Sequence, residues 1–131
     1  MIALFSLISL DTLHPFYYVS FKYIGTKYKF GGMDTSGMDC SGFVYKVLSE
    51  FGIKAPRISK NYLNFGNFVQ IDSIMPGDIL IFSFYSPYDH VGIYIGNNKI
   101  VHSASKKGVI IEDMKYIKKY LKMARRVRLF Y

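Results

Sequence analysis

The chain has 131 residues, of which half are hydrophobic and 18% are aromatic, and its net charge is +8. This length predicts one domain with a single core, and the apolar content excludes a disordered protein. Cys40 is the only cysteine, which excludes an intramolecular disulfide. The positive charge suits contact with a polyanion, but no aromatic-laced RNA-binding stretch accompanies it. We therefore expect no nucleic-acid partner.

Residues 1–14 form a short apolar segment ahead of the domain, which we place at residues 15–131. The apolar run of this N-terminal segment, residues 2–10, is too short to span a bilayer, so no transmembrane segment is expected. No Lys or Arg precedes Lys22 and no small-residue cleavage site follows the run. We expect a short helix or strand packed on the domain, with the core of a signal peptide as the alternative.

Two helices are expected in the first half of the chain. Pro15 can open a helix that runs to about Ile24 and ends at Gly25. A glycine-rich loop, residues 26–39, then leads into a second helix that begins at Cys40. The apolar side chains of this helix repeat at the spacing of one helical face. They are Phe43, Val44, Val47, Leu48 and Phe51, and Gly52 follows as a stop.

Short strands are expected in the second half, after an irregular stretch at residues 54–72. The run at 79–82 has the length and residue types of a buried strand, and 90–95 alternates. Strands are predicted at residues 79–82, 90–95, 99–103, 108–112 and 125–131, with a basic helix at 115–122. Helices come first and an antiparallel meander second, so the predicted class is α+β.

Cys40 has the setting of a nucleophile, because it follows a glycine-rich loop and opens a helix. The positive end of a helix favours the thiolate, so we expect a lowered pKa for this thiol. The alternative is a small buried hydrophobic residue, the commonest fate of a free cysteine. The neighbouring residues Asp39, Ser41 and Gly42 leave little bulk to bury it under.

His90 and His102 lie on two strands that a predicted hairpin joins, so they can stand side by side. A cysteine nucleophile needs a base within hydrogen-bond reach, and that base needs a third polar group to fix its ring. We expect His90 to be the base and His102 to hold its tautomer. His14 has no such context, and we interpret it as structural.

The same cysteine and two histidines could also supply three ligands of a zinc site. Their spacing has none of the close ligand pairs that structural zinc sites use, and no His-x-Glu pattern accompanies them. We therefore predict no metal and no cofactor.

The motifs of the chain resemble those of the NlpC/P60 family of cysteine peptidases, and they follow the family's order from Pro15 to Leu129. They are YKFGG, GMDCSGFV, PRIS, PGDILIF, DHVGIYIG, KIVHSAS and ARRV. The resemblance implies a papain-like α+β fold in which N-terminal helices, one of them bearing the nucleophile, pack on a central antiparallel sheet. Residues 15–131 would then be the catalytic domain.

The resemblance also implies roles for individual residues. Cys40 matches the nucleophile, His90 the general base and His102 the third polar residue. Tyr28 matches a residue that lines the catalytic cleft. Asp39 and Ser41 match positions that recognise the free amine of a trimmed stem peptide in some members, although Asp39 could equally cap the Cys40 helix.

The activity that the resemblance implies is hydrolysis of peptidoglycan stem peptides or muropeptides, typically between γ-D-glutamate and a diamino acid. Three alternatives stay open: an N-acetylmuramoyl-L-alanine amidase, an acyltransferase on the same scaffold, and a non-enzymatic protein that binds cell wall or polyanion. The basic C-terminal region suits an anionic cell envelope as a partner. The implied location is the bacterial envelope or the secreted fraction, and the lack of a clear signal peptide also leaves a cytoplasmic or phage-encoded protein open.

Overall fold

A computed structural model of the protein describes residues 15–127. The expected N-terminal segment, residues 1–14, and the end of the expected last strand, residues 128–131, lie outside the described residues. No helix within the described range combines the length and apolar character needed to cross a membrane.

Both helices expected in the first half of the chain are present. Helix α1 covers Pro15–Phe21, and a turn carries the chain from there to Gly25. Helix α2 covers Cys40–Ser49 and begins at the predicted residue. The glycine-rich loop between them contains a minimal hairpin of two strands, β1 (Met33–Asp34) and β2 (Gly37–Met38).

A six-stranded antiparallel sheet forms the rest of the fold, with the strand order β3-β8-β4-β5-β6-β7. Its members are β3 (Asn67–Val69), β4 (Ile79–Phe82), β5 (His90–Gly96), β6 (Lys99–Ala104), β7 (Gly108–Asp113) and β8 (Leu121–Arg126). The meander β4-β5-β6-β7 was predicted, and so was the α+β class. Strand β3 lies inside the stretch that we expected to be irregular.

The basic helix expected at residues 115–122 is wrong. Two single 3-10 turns, Met114–Tyr116 and Lys118–Tyr120, stand there, and β8 already begins at Leu121. Four lysines at helical spacing would repel one another along such a helix. Strand β8 instead gains hydrogen bonds on both edges, because it lies between β3 and β4. The last strand therefore starts four residues earlier than the expected 125–131.

The sheet buries a different apolar cluster on each face. One face packs against α2, whose Phe43, Val44, Val47 and Leu48 are fully buried. The other face is covered by the segment of the two 3-10 turns, with Met114 in the first turn and Ile117 between the two. With both faces covered, the central strand β4 reads as a continuous apolar run in place of an alternating one.

Candidate active site

Cys40 is the first residue of α2, and it lies where that helix meets the start of β5. Its Sγ is 3.7 Å from the backbone carbonyl oxygen of Asp89, to which the thiol can donate. The residue is 8% exposed. Cys40, the predicted nucleophile, therefore lies at the start of a helix, and its sulfur faces the backbone just before β5.

The expected low pKa of this thiol is wrong. Burial raises the pKa of Cys40 above its usual range, and the carboxylates of Asp39 and Asp89 add to the rise. Hydrogen bonding from the backbone N–H groups of Val91 and Ser41 favours the thiolate, but it is outweighed. The helix N-terminus acts on a sulfur that has lost most of its water, so desolvation dominates. The resting group is a neutral thiol.

His90 and His102 stand side by side, as the hairpin predicted. The Nε2 atom of His90 is 2.7 Å from Nδ1 of His102. Ile93 pairs with Val101 in the ladder, which places Gly92 beside His102. A Cβ on Gly92 would lie 2.8 Å from the Cβ of His102, so the glycine makes room for the second ring. The pair depends on this small residue between the two strands.

Both histidines are buried and neutral at neutral pH. Burial lowers the pKa of His90 to about 3, and the neighbouring His102 adds to the fall. Burial also lowers the pKa of His102, although the hydrogen bond and the charge of Glu112 oppose the change. A neutral imidazole carries one donor and one acceptor nitrogen, so each ring can take part in a directed chain of hydrogen bonds.

Glu112, which the sequence analysis missed, continues this chain. Its Oε1 is 2.8 Å from Nε2 of His102. His102 pairs with Ile110 across the β6–β7 ladder, and Glu112 follows two residues later on the same face. The signal was present in the sequence, because residues 99–103 and 108–112 were both predicted as strands. The register of that second hairpin would have placed Glu112 beside the ring.

Cys40, the two histidines and Glu112 all line one pocket of about 450 Å³. The predicted residues Tyr28, Cys40, His90 and His102 all line it, and burial raises the pKa of the Tyr28 hydroxyl. The pocket is also lined by Glu112, Phe84, Tyr85, Lys106 and Lys107. The structure thus brings the predicted nucleophile, base, third polar residue and cleft tyrosine around one cavity.

Asp39 and Ser41 do not line this pocket. Asp39 is the N-cap of α2 and accepts from the backbone N–H of Gly42 at 2.7 Å. Arg57, a second residue that the sequence analysis missed, donates to both carboxylate oxygens of Asp39 and to Oγ of Ser41. Asp39 also accepts from the N–H of Gly31, which ties the glycine-rich loop to the helix. Asp39 therefore caps the helix, and recognition of a substrate amine by Asp39 and Ser41 stays a prediction.

Asp89 holds together a loop, residues 84–89, whose Phe84, Tyr85 and Asp89 line the pocket. Its carboxylate accepts from the backbone N–H groups of Phe84, Tyr85 and Ser86 at 2.8, 2.9 and 3.0 Å. The ring of Phe84 then packs on His90, with 4.7 Å between the centroids. This arrangement supports the start of β5 and the ring of His90.

Comparison with known proteins gives matches over most of the chain. Residues 25–126 match the NlpC/P60 family. Murein DD-endopeptidase MepS/Murein LD-carboxypeptidase of Escherichia coli K12 is 42% identical over 106 residues, which are 79% of this chain and 56% of that protein. The chain thus spans little more than half the length of this relative.

Solved structures give the same family by shape. An NlpC/P60 family protein from Bacillus cereus superposes with a TM-score of 0.79 at 28% identity, over 86% of this chain and 39% of that one. The NlpC/p60 domain of the peptidoglycan hydrolase SagA gives 0.77 at 26% identity, over 86% of this chain and 97% of that domain. The combination of helices and an antiparallel sheet in the described residues matches the fold of these structures. The chain belongs to the NlpC/P60 family.

Proposed function

We propose that this domain is a cysteine peptidase that hydrolyses peptide bonds in peptidoglycan. The observation that carries the proposal is one pocket shared by a lone cysteine at a helix start and a hydrogen-bonded pair of buried histidines. A thiol, a base and an orienting group within one cavity are the parts that acyl transfer through a thioester requires.

In the first half-reaction, the sulfur of Cys40 attacks the substrate carbonyl carbon while its proton passes to His90. Burial raises the pKa of the Cys40 thiol and lowers that of His90, so it disfavours a thiolate–imidazolium pair and favours proton transfer that accompanies attack. The tetrahedral intermediate then collapses, the C–N bond breaks, and His90 returns the proton to the leaving amine. The products of this step are a free amine and a thioester on Cys40.

In the second half-reaction, water replaces the amine. His90 takes a proton from water as its oxygen attacks the thioester carbonyl, and the C–S bond breaks. The proton returns to the sulfur, so the enzyme regains its neutral thiol and neutral imidazole. His102 holds the His90 ring throughout, because the two share a 2.7 Å hydrogen bond.

Two bonds in the stem peptide are candidates for cleavage. The motifs favoured the bond between γ-D-glutamate and the diamino acid. The Escherichia coli relative is named a DD-endopeptidase and LD-carboxypeptidase, and the first of these names favours a D,D bond, between two D-configured centres, instead. We propose the peptidoglycan peptide as the substrate class and retain both bonds as competing assignments.

We also propose that Asp39 and Ser41 recognise a free substrate amine, which requires that the amine displace Arg57. Both groups already accept hydrogen bonds from Arg57, so an incoming ammonium has to compete with a guanidinium. Tyr28 needs no such exchange, because it lines the pocket directly and can pack on the peptide. If Asp39 and Ser41 recognise the amine, a trimmed stem peptide is cleaved faster than one that is still linked to the sugar.

The basic residues are proposed to hold the domain near anionic envelope polymers, and we place its action at the bacterial envelope or outside the cell. Lys106 and Lys107 bring part of this charge to the pocket rim. An amidase or an acyltransferase would use the same thioester, so only the products distinguish them.

The test is mass spectrometry of defined muropeptides, monomeric and cross-linked, after incubation with the protein. Cleavage of the cross-link alone assigns the D,D bond, and loss of the diamino acid from a monomer assigns the γ-D-glutamyl bond. Release of the intact peptide from the sugar would assign an amidase instead. Equal rates on free and N-acetylated peptides would exclude amine recognition by Asp39 and Ser41.

A further inference from the structure

Glu112 stands at the far end of the hydrogen-bonded chain that starts at the base, and nothing in the two half-reactions uses it. The geometry points to a positioning role, in which the Glu112 carboxylate sets the direction of the His102–His90 hydrogen bond and so leaves Nδ1 of His90 free to accept a proton. This inference rests on the proposed function, because it concerns the base of the same site.

The first step is the contact between Glu112 and His102. An ionised carboxylate carries no hydrogen and can only accept. The 2.8 Å contact to Oε1 therefore requires that Nε2 of His102 carries the proton. A neutral imidazole has a single N–H, so Nδ1 of His102 must be an acceptor.

The second step is the contact between the two rings. Nε2 of His90 is 2.7 Å from the acceptor Nδ1 of His102, so Nε2 of His90 must donate. Neutral His90 then has no proton on Nδ1, the nitrogen that His102 does not occupy. That bare nitrogen is the one available to the thiol of Cys40 across the shared pocket. One carboxylate thus selects the proton-accepting state of a base two rings away.

Without the carboxylate, the same pair of rings can run its hydrogen bond in either direction. In the reversed arrangement Nδ1 of His102 donates, Nε2 of His90 accepts, and Nδ1 of His90 is protonated and unable to act as a base. The other charges that face the pair are Lys107 near His102 and Asp89 next to His90. Neither makes a hydrogen bond to either ring nitrogen among the contacts of the described residues, so neither replaces Glu112 in fixing the direction.

Glu112 can be substituted without disturbing the core, because its side chain is partly exposed. Its side chain is 21% exposed at the pocket, whereas that of His102 is 3% exposed, so a change at 112 does not open the core. Glu112→Gln keeps the shape and an acceptor oxygen, but its amide can also donate. Glu112→Ala removes the acceptor. Asp72→Asn is a matched control, because it also removes one negative charge, from an exposed residue that does not line the pocket.

The test reads the tautomers directly, by ¹⁵N NMR of histidine-labelled protein, with His14→Gln identifying the third ring. In the wild type we expect both His90 and His102 to show a protonated Nε2 and a bare Nδ1. In Glu112→Ala the two nitrogen shifts of His90 should converge as the tautomers mix, with Glu112→Gln in between and Asp72→Asn unchanged. A protonated Nδ1 on wild-type His90, or an unchanged spectrum in a folded Glu112→Ala protein, would overturn the inference.

Kinetics on the muropeptide substrate form the second arm. We expect kcat to fall roughly 10- to 100-fold in Glu112→Ala and less in Glu112→Gln, with KM almost constant, since a misprotonated base lowers the reactive fraction and not binding. Unchanged kcat despite mixed tautomers would equally overturn the role. The NMR arm needs no turnover, so a protein that cleaves no muropeptide refutes the proposed function and leaves the tautomer result standing.

Discussion

The Cys40 thiol and the His90 imidazole are both held in their neutral forms by burial. Water is largely excluded from Cys40 and His90, and each charged form is penalised more than the nearby dipoles can offset. In the proposed mechanism, proton transfer from the thiol to the imidazole therefore waits for the substrate. Two predictions at the scale of single residues follow from this state and from the different positions of the two rings.

Substitution of His90 should lower activity more than substitution of His102. His90→Ala removes the proton acceptor and should lower kcat/KM by about 10² to 10⁴. His102→Gln should retain part of the activity, because an amide oxygen can still accept from Nε2 of His90. Steady-state kinetics with a single muropeptide measures both, and full activity in a His102→Ala protein would contradict the orienting role.

The pH dependence of kcat/KM should have a broad plateau. The reactive state holds one proton shared between thiol and imidazole, so the acid limb reports His90, whose pKa is about 3. The alkaline limb reports the Cys40 thiol, whose pKa is raised. We expect constant kcat/KM from about pH 5 to about pH 8 on a substrate without groups that titrate in this range. An acid limb near 6.5 would show that His90 is not desolvated as the structure indicates.

At the scale of elements, the start of α2 is fastened to the glycine-rich loop by backbone contacts. Asp39 caps the helix and accepts from Gly31, while Gly42 packs against the carbonyl of Gly32. A Cβ at Gly42 would overlap that carbonyl oxygen and lie 2.8 Å from Oδ1 of Asp39. The DCSG motif therefore needs its glycine for packing, whatever the chemistry of the cysteine.

Gly42→Ala should lower the free energy of unfolding by about 1 to 3 kcal/mol, because the backbone of Gly32 and the carboxylate of Asp39 leave the new methyl no space. It should also lower activity, since the loop that carries Tyr28 must shift. Ser49→Ala, an exposed position on the same helix, is the control and should change stability by less than about 0.5 kcal/mol. Urea denaturation measures both, and equal stabilities for the two variants would contradict the packing argument.

Local patterns predicted some elements well and misassigned others for an identifiable reason. The alternation of β5 and the helical face that follows Cys40 are local signals, and both elements begin at the predicted residues. Residues 115–122 were predicted as a helix from the spacing of their lysines, but from Leu121 onward the pairing of β8 with its two neighbouring strands decides the structure. Arg57 could not be foreseen either, because nothing near it indicates a partner eighteen residues away at Asp39.

At the scale of the whole molecule, the buried histidines link the chemistry of the site to the stability of the fold. In the unfolded chain a histidine takes up a proton near pH 6.5, whereas in the folded protein His90 stays neutral down to about pH 3. Between these values the unfolded state binds more protons, so stability rises with pH across this window and is lost as the pH falls.

The wild type should therefore lose about 2 kcal/mol more than His90→Gln when the pH drops from 7 to 5. The carboxylates and the other histidines are common to both proteins, so the difference isolates His90. Chemical denaturation at the two pH values measures it. Parallel losses in the two proteins would contradict a buried neutral imidazole.

The central claim is that a thioester on Cys40 carries the hydrolysis of peptidoglycan peptides. The most direct measurement is mass spectrometry of muropeptide products formed in H₂¹⁸O by the wild type, Cys40→Ala and Cys40→Ser. We expect one ¹⁸O in the new carboxyl group with the wild type and no product with either variant, both of which should remain folded. A Cys40→Ser protein with a near-native rate would contradict thiol catalysis, because a serine hydroxyl is far harder to activate at this pH.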